Sequence, residues 1–329
     1  MKILNVTLAA LATAGFAFSA QADITLHGAS QFGHGHPFNT SLEAFEKLTM
    51  ENYKGDEKVK FVIHGNSELG LEKDYVAYMN QGISVDYAVF SPSHASTFSK
   101  MVGIMDMPFL YRDIPHQSKV LADKSVMKPL VDDLYKRADI LILGYLGGGT
   151  RNLIVNKPVR NMAELKDLPI RVMGAPIQTK MFEAMGAAPT VIAYSEVYNA
   201  IQTGVIDAAE NEAIGIKTMK FYEVGPHIGL TKHTITVRLL GIAGKTFRRL
   251  PKDLQDAMVE AGIPAGEAGR QQEINEGAQT LKDMEEKGWL TTYEFQDRDK
   301  LLEAVAPVRQ EFAKEIGATE FLNFVDSVK

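Results

Sequence analysis

The chain has no cysteine in its 329 residues. Disulfide frameworks, thiolate zinc sites and thiol catalysis are therefore excluded. A chain this long buries enough apolar surface to fold without such staples. A basic excess is also missing, the formal net charge being -6. Nucleic-acid binding needs a clustered positive surface, so that class is excluded as well. An anionic ligand would have to be held by a local arrangement, because the overall field would not attract it. Beyond residue 22 no apolar run approaches the length of a membrane span. There is no H-E-x-x-H, no G-x-S-x-G, and no carboxylate pair marked for acid/base work. Gly147-Gly148-Gly149 lacks both the G-x-G-x-x-G spacing and the lysine of a phosphate loop. No metal and no cofactor is implied.

What is present begins with a leader. Lys2 supplies a minimal basic start, Ile3 to Phe18 an apolar stretch, and Ser19-Ala20-Gln21-Ala22 a small-residue exit before Asp23. This is the pattern of a cleaved signal peptide over residues 1–22. The competing reading, a membrane anchor, needs about 20 apolar residues, and this run is shorter. No cysteine follows the exit, so a lipid anchor is excluded. The mature chain is expected to be free in the periplasm, with no membrane insertion. Hydrophobic residues make up 45% and charged residues 23%, a globular balance, and the length suits about two domains.

Strand, loop and helix patterns then alternate. Strands are expected at 23–28, 60–64 and 85–90, with helices from Thr40 as cap and from Leu71 to Gln81, the latter stopped by Gly82. A second α/β unit with its own sheet is expected from near Gly148. It has strands at 139–145, 169–172 and 190–192, and helices at 162–166 and 177–185. A third helix is capped by Ser195. Such βαβ rhythm suggests a mostly parallel sheet, whose ligands gather beyond the strands' carboxyl ends. Thr234 to Ala243 reads as a long strand, and Pro251 to Asp283 as a helix long enough to run between lobes. Two amphipathic helices close the chain, around 301–312 and 318–328.

Two arginines stand out. Arg151 leaves a strand end, and Arg171 sits inside the apolar run Ile170-Arg171-Val172, where an unpaired guanidinium is costly. A planar fork suits bidentate recognition of a carboxylate. Spacing alone fits equally a structural Asp or Glu partner for each. Glu210-Asn211-Glu212 lies at a strand end, and Asn211 can donate and accept at once; a plain turn residue is the alternative. Tyr194 suits a cleft wall or a core position.

The ordered motifs carry a resemblance. Gly-Thr-Arg151, Leu-Pro-Ile-Arg171-Val, the run from Tyr194 to Asp207, Glu210-Asn211 and Lys220-Phe-Tyr-Glu-Val224 occur in sequence. Ser67-Glu-Leu-Gly70 and Leu250-Pro-Lys-Asp-Leu-Gln255 accompany them. Together they resemble the DctP-type substrate-binding proteins of tripartite ATP-independent periplasmic (TRAP) transporters across nearly the whole mature chain.

That resemblance implies an α/β, two-lobe periplasmic-binding-protein (venus flytrap) fold with crossing strands and a long bridging helix. Lobe I would comprise 23–148 plus 237–276, and lobe II 149–236 plus 277–329. It implies a monomeric receptor, not an enzyme, that closes on a small organic acid and delivers it to a membrane permease. Arg171 would bind the ligand carboxylate, with Arg151 and Asn211 assisting. Tyr194 and Met173 would line the second lobe, and His34, Glu72 and Ser91 the first. With Glu210 these groups suit hydroxyls, and the stretch from Arg171 to Ile177 resembles uronate-binding members. A hexuronate such as D-glucuronate or D-galacturonate is expected. A C4-dicarboxylate, another hydroxy acid or a sulfonate stays open, as do a sensory receptor and a periplasmic enzyme acting on a small organic acid.

Overall fold

The computed structural model describes residues 23–329, and the expected leader at 1–22 lies outside them. Its elements run β1 (Ile24–Ala29), α1 (Pro37–Asn52), β2 (Val59–His64), α2 (Glu72–Gln81), β3 (Tyr87–Phe90) and α3 (Pro92–Ala95). Then come α4 (Ile114–Ala122), α5 (Lys124–Ala138), β4 (Ile140–Val155), α6 (Met162–Leu165), β5 (Pro169–Val172), α7 (Pro176–Ala184), β6 (Ala188–Val191) and α8 (Val197–Gln202). The chain ends with β7 (Ala208–Asn211), α9 (Ala213–Thr218), β8 (His227–Ala243), α10 (Gly244–Arg249), α11 (Lys252–Glu286), β9 (Thr291–Glu294), α12 (Arg298–Glu315) and α13 (Thr319–Ser327).

The second α/β unit does not have a sheet of its own. All the strands belong to one sheet, in the order β2-β1-β3-β8-β4-β7-β5-β6, with β9 beside β8. The reason is strand length. β4 has 16 residues and β8 has 17, so each spans roughly 50 Å at about 3.3 Å per residue, enough for both units. Nor is the sheet mostly parallel through its centre. The outer pairs are parallel, whereas β3–β8, β4–β8 and β4–β7 are antiparallel.

Where β4 crosses from one unit to the other, its pairing with β8 slips between Gly147 and Thr150. Gly147 and Gly148 have φ of +103° and +116°, a region costly for any residue with a Cβ. A Cβ on Gly147 would also strike the Thr236 carbonyl. The glycine run is thus a bulge inside one continuous strand, and it bends the sheet at the crossing.

α11, at 35 residues, extends roughly 50 Å at 1.5 Å per residue. It lies along α1 and β4, and Gly262 and Gly266 bring its backbone against the Leu143 and Tyr145 carbonyls. One large core joins residues of both units, from Tyr75 and Phe90 to Phe182 and Leu322. Smaller cores lie under α1 and under α8–α9. α13 is held from both sides: Arg309–Asp326 ties it to α12, while His116 Nε2 bonds the Val325 carbonyl at 2.9 Å.

Two expected caps move. α1 starts at Pro37 rather than after Thr40, because proline suits the first helical position, where no N–H is needed. His36 is the cap, its Nδ1 accepting from Phe38 N at 3.2 Å. Ser195 does not cap α8, which follows a short 3-10 turn at Tyr194–Glu196. The α4–α5 hairpin and β9 had no counterpart in the sequence reading.

Candidate functional site

A narrow cleft, about 370 Å³ counting the part open to solvent, lies where the two units face each other across β4 and β8. Its walls come partly from strand ends and the turns after them, as expected for a sheet of this type, and partly from helix starts and the interior of the two crossing strands. One wall holds Arg151 of β4, Arg171 of β5, Met173 just beyond it, Tyr194 after β6, Asn211 of β7 and Glu212. The facing wall holds Gln31 and Phe32 after β1, Phe38 and Glu72 at helix starts, His94 of α3, and Arg238 of β8. A wider mouth of about 660 Å³ shares Glu72, His94, Arg171 and Tyr194 with it.

The two arginines singled out by the sequence differ in electrostatic state. Arg151 is 3% exposed and fully matched. Its Nε and Nη2 grip both oxygens of Glu210, Nη2 also donates to the Glu210 carbonyl at 2.8 Å, and Nη1 lies 3.2 Å from Glu212. Burial raises the Glu210 pKa, but Arg151 and His233 outweigh it and bring the carboxyl down to about 2. Glu210 stays ionised behind Arg151 and does not reach the cleft.

Arg171 is as buried, at 3% exposed, but has no carboxylate. Strand alternation turns Ile170 and Val172 into the large core and Arg171 to the opposite face. Its Nε donates to the Ile192 carbonyl at 2.9 Å, and its guanidinium lies 5.5 Å from the Tyr194 ring centre. Among the described residues no carboxylate comes within ion-pair distance of it. Burial accordingly depresses its pKa to about 10, against the pull of Glu210. The side chain is still charged at neutral pH, with its terminal nitrogens unmatched.

The other groups are oriented by their neighbours. Asn211 Nδ2 donates to the Tyr194 hydroxyl at 2.7 Å, and its Oδ1 accepts from Glu212 N at 3.0 Å. The phenol proton remains free to donate, and burial raises the tyrosine's pKa, keeping it protonated. Glu72, 2% exposed, accepts from Ser91 N and sits 2.8 Å from His94 Nδ1. Burial favours the neutral acid, but His94 and then Arg238 lower its pKa. An ionised Glu72 can only accept, so His94 Nδ1 donates in this contact.

The structure thus brings Arg151, Arg171, Met173, Tyr194, Asn211 and Glu72 together at one cleft. Ser91 lies one layer back, its Oγ donating to Asp106 at 2.6 Å and 3.9 Å from Met173 Sδ. His34 is not in the cleft. Its side chain is 89% exposed and paired with Glu43, because the early start of α1 turns residues 33–35 outward. The wall expected of it is built by Phe32 and Phe38, with His36 stacked on Phe32 at 3.8 Å.

Sequence reasoning missed Arg238 and His94. Arg238 is 7% exposed, lies 5.4 Å from the Phe38 ring centre and 3.8 Å from Asp106, and has no partner at Nε. The clue was there: like Arg171, it interrupts a β-branched strand with a charge.

Comparisons with known proteins bear on the family and the fold. The model of the bacterial extracellular solute-binding proteins, family 7 (DctP), matches residues 28–315. A solute-binding protein of Sulfitobacter sp. strain NAS-14.1 is 50% identical over 317 residues, covering 96% of this chain and 95% of that one. A solved TRAP periplasmic solute-binding protein of the same strain, with bound α-D-taluronate, superposes with a TM-score of 0.90 at 50% identity, covering 92% and 97% of the two chains. Another from Sulfitobacter, with bound β-D-galacturonate, gives a TM-score of 0.84 at 25% identity and covers 92% and 99%. The fold is therefore the two-lobe binding-protein fold of these structures. With its crossing strands, bridging helix and arginine-lined cleft, the chain belongs to the family 7 extracellular solute-binding proteins, the DctP receptors of TRAP transporters.

Proposed function

We propose that this chain is a periplasmic receptor that captures a hexuronate and delivers it to a TRAP permease. The observation that carries the reading is Arg171, a buried guanidinium with its fork unmatched. A ligand carboxylate supplies the missing counter-charge by two parallel bonds. The aromatic faces of Phe32, Phe38 and Tyr194 suit a sugar ring, and Asn211, the Glu72–His94 pair and Arg238 suit its hydroxyls. The taluronate and galacturonate held by the two solved relatives support the same ligand class.

Capture is a population shift between separated and closed lobes, divided as 23–148 plus 237–276 and 149–236 plus 277–329. The carboxylate held by Arg171 joins one wall to the other and favours the closed form. Excluding water then strengthens the charge-assisted bonds. Export uses the 1–22 leader, the receptor works as a monomer, and it releases its ligand chemically unchanged. That last point separates it from an enzyme.

Arg238 favours a second reading, a C4-dicarboxylate receptor whose other acid group meets this guanidinium. A thermal-shift and calorimetric screen with D-galacturonate, D-glucuronate, D-taluronate, succinate and L-malate decides between them. Uronates are expected to stabilise the protein, and to be recovered intact after prolonged incubation and denaturation. Stabilisation by the dicarboxylates alone would overturn the uronate reading, and a converted ligand would overturn the receptor reading.

A further inference from the structure

A second cavity lies behind the crossing strands, on the far side of Gly149 and Glu212 from the ligand cleft. Counting the part open to solvent, it spans about 900 Å³. Its walls are apolar, formed by Ile216 of α9, Leu230 of β8, and Ile274 and Leu281 of α11. Its polar groups include two carboxyls, Glu273 of α11 and Glu212, the residue that also lines the ligand cleft.

Glu273 has no role in the cleft and no partner of its own. It is 2% exposed, and neither carboxyl oxygen makes a hydrogen bond among the described residues. Gly149 N–H faces the carboxyl and lowers its pKa slightly, but does not meet strict hydrogen-bond geometry. A buried carboxyl left in this state costs free energy unless something meets it. The charged groups that act on it are Glu212 beside α9, Arg151 on β4 and Arg238 on β8, with Arg270 one turn earlier on its own helix. Arg151 is already committed to Glu210 and Glu212, while Arg270 gives Nη2 to Ser118 Oγ at 2.6 Å and leaves Nη1 without a hydrogen-bond partner among the described residues. Burial and then Glu212 raise the Glu273 pKa to about 8, so the group carries a proton at neutral pH. Lys232, which also lines the cavity, is half-exposed and 3.7 Å from Glu294, which places its charge at the rim.

We propose that this cavity is a second ligand site, for a small organic cation with an apolar tail. An ammonium head meets Glu273 and Glu212 at the inner end, and the tail lies along Ile216, Ile274 and Leu281. As the ammonium arrives, the Glu273 O–H bond breaks and its proton goes to solvent. The head keeps its own protons, so one cation enters and one proton leaves. A carboxylate ligand would meet two acids here, and an alcohol would lack the charge. The proposal does not depend on which acid fills the main cleft.

The test uses the mature chain and three probes with one tail: hexylammonium, hexanoate and hexanol. Methyl NMR is expected to show hexylammonium shifting the Ile216, Ile274 and Leu281 signals, with hexanol at least tenfold weaker and hexanoate silent. Calorimetry in two buffers of different ionisation enthalpy should show proton release near pH 7. Glu273→Gln should weaken hexylammonium at least tenfold and abolish that release. Gly277→Leu is a control for position. Gly277 lines the cavity and a Cβ there meets nothing within 4 Å, so a larger side chain at this position is expected to occupy it. It should block hexylammonium while leaving ligand binding in the main cleft intact. The proposal is overturned if those methyls do not move, if hexanol binds as well as hexylammonium, or if Glu273→Gln binds like wild type.

Discussion

Replacing Arg171 by Met tests whether an unmatched buried charge is what binds the ligand. Met keeps most of the apolar stem and removes the guanidinium, so little cavity is added. Among the described residues, the Arg171 side chain has only the Ile192 carbonyl as a hydrogen-bond partner in the free protein. Removing a desolvated charge that lacks a carboxylate should leave the unliganded protein as stable as before, or more so. Ligand binding should suffer instead. Truncating one member of a buried charge pair costs roughly 2–5 kcal/mol, or about 30- to 5,000-fold in Kd. At a ligand concentration of about 1,000 Kd, wild type gains about 4 kcal/mol, and a thousandfold loss of affinity leaves about 0.4 kcal/mol. Urea denaturation with and without D-galacturonate reads both quantities. Arg151→Met is the contrasting arm. It leaves the buried Glu210 carboxylate without its main partner, so the unliganded protein should lose about 3–5 kcal/mol. The reasoning fails if Arg171→Met keeps the full ligand stabilisation, or destabilises the free protein as much as Arg151→Met.

Three other outcomes are expected. His36 is held down to about 3 by burial and then by Arg238, against an ordinary value of 6.5. Its contribution is therefore fully present above pH 6.5 and lost as pH falls toward 3, by up to about 1.4 kcal/mol per unit. His36→Asn keeps an acceptor at the cap, so its stability measured from pH 7 to 4 should fall less steeply than that of wild type. Gly147→Ala combines a φ of +103° with a clash at the Thr236 carbonyl, and should cost roughly 1–3 kcal/mol in urea denaturation. Arg238→Met should raise the Kd for galacturonate at least tenfold, or about 1.4 kcal/mol, by calorimetry; an unchanged Kd would leave Arg238 with its structural partners, Asp106 and the Val237 carbonyl.

Much of this protein is written in short stretches of sequence. Hydrophobic alternation and helix stops such as Gly82 place most strands and helices, because those signals act over a few neighbouring residues. The charge inside Ile170-Arg171-Val172 marks a special position for the same local reason. The fate of that charge is not local. Arg151 and Arg171 look alike in sequence, and what separates them is a carboxylate 59 residues beyond Arg151, brought alongside by the β4–β7 register. No such pairing reaches Arg171, and only the assembled sheet decides this, because a guanidinium's state depends on charges within a few ångströms of it. The same holds for His34, turned outward by the start of α1, and for Arg238, whose cleft position depends on β8 crossing both lobes. Composition and spacing thus determined an α/β chain with two notable arginines. Tertiary structure decided which of them is left for a ligand, because electrostatic pairing is set by distance in space.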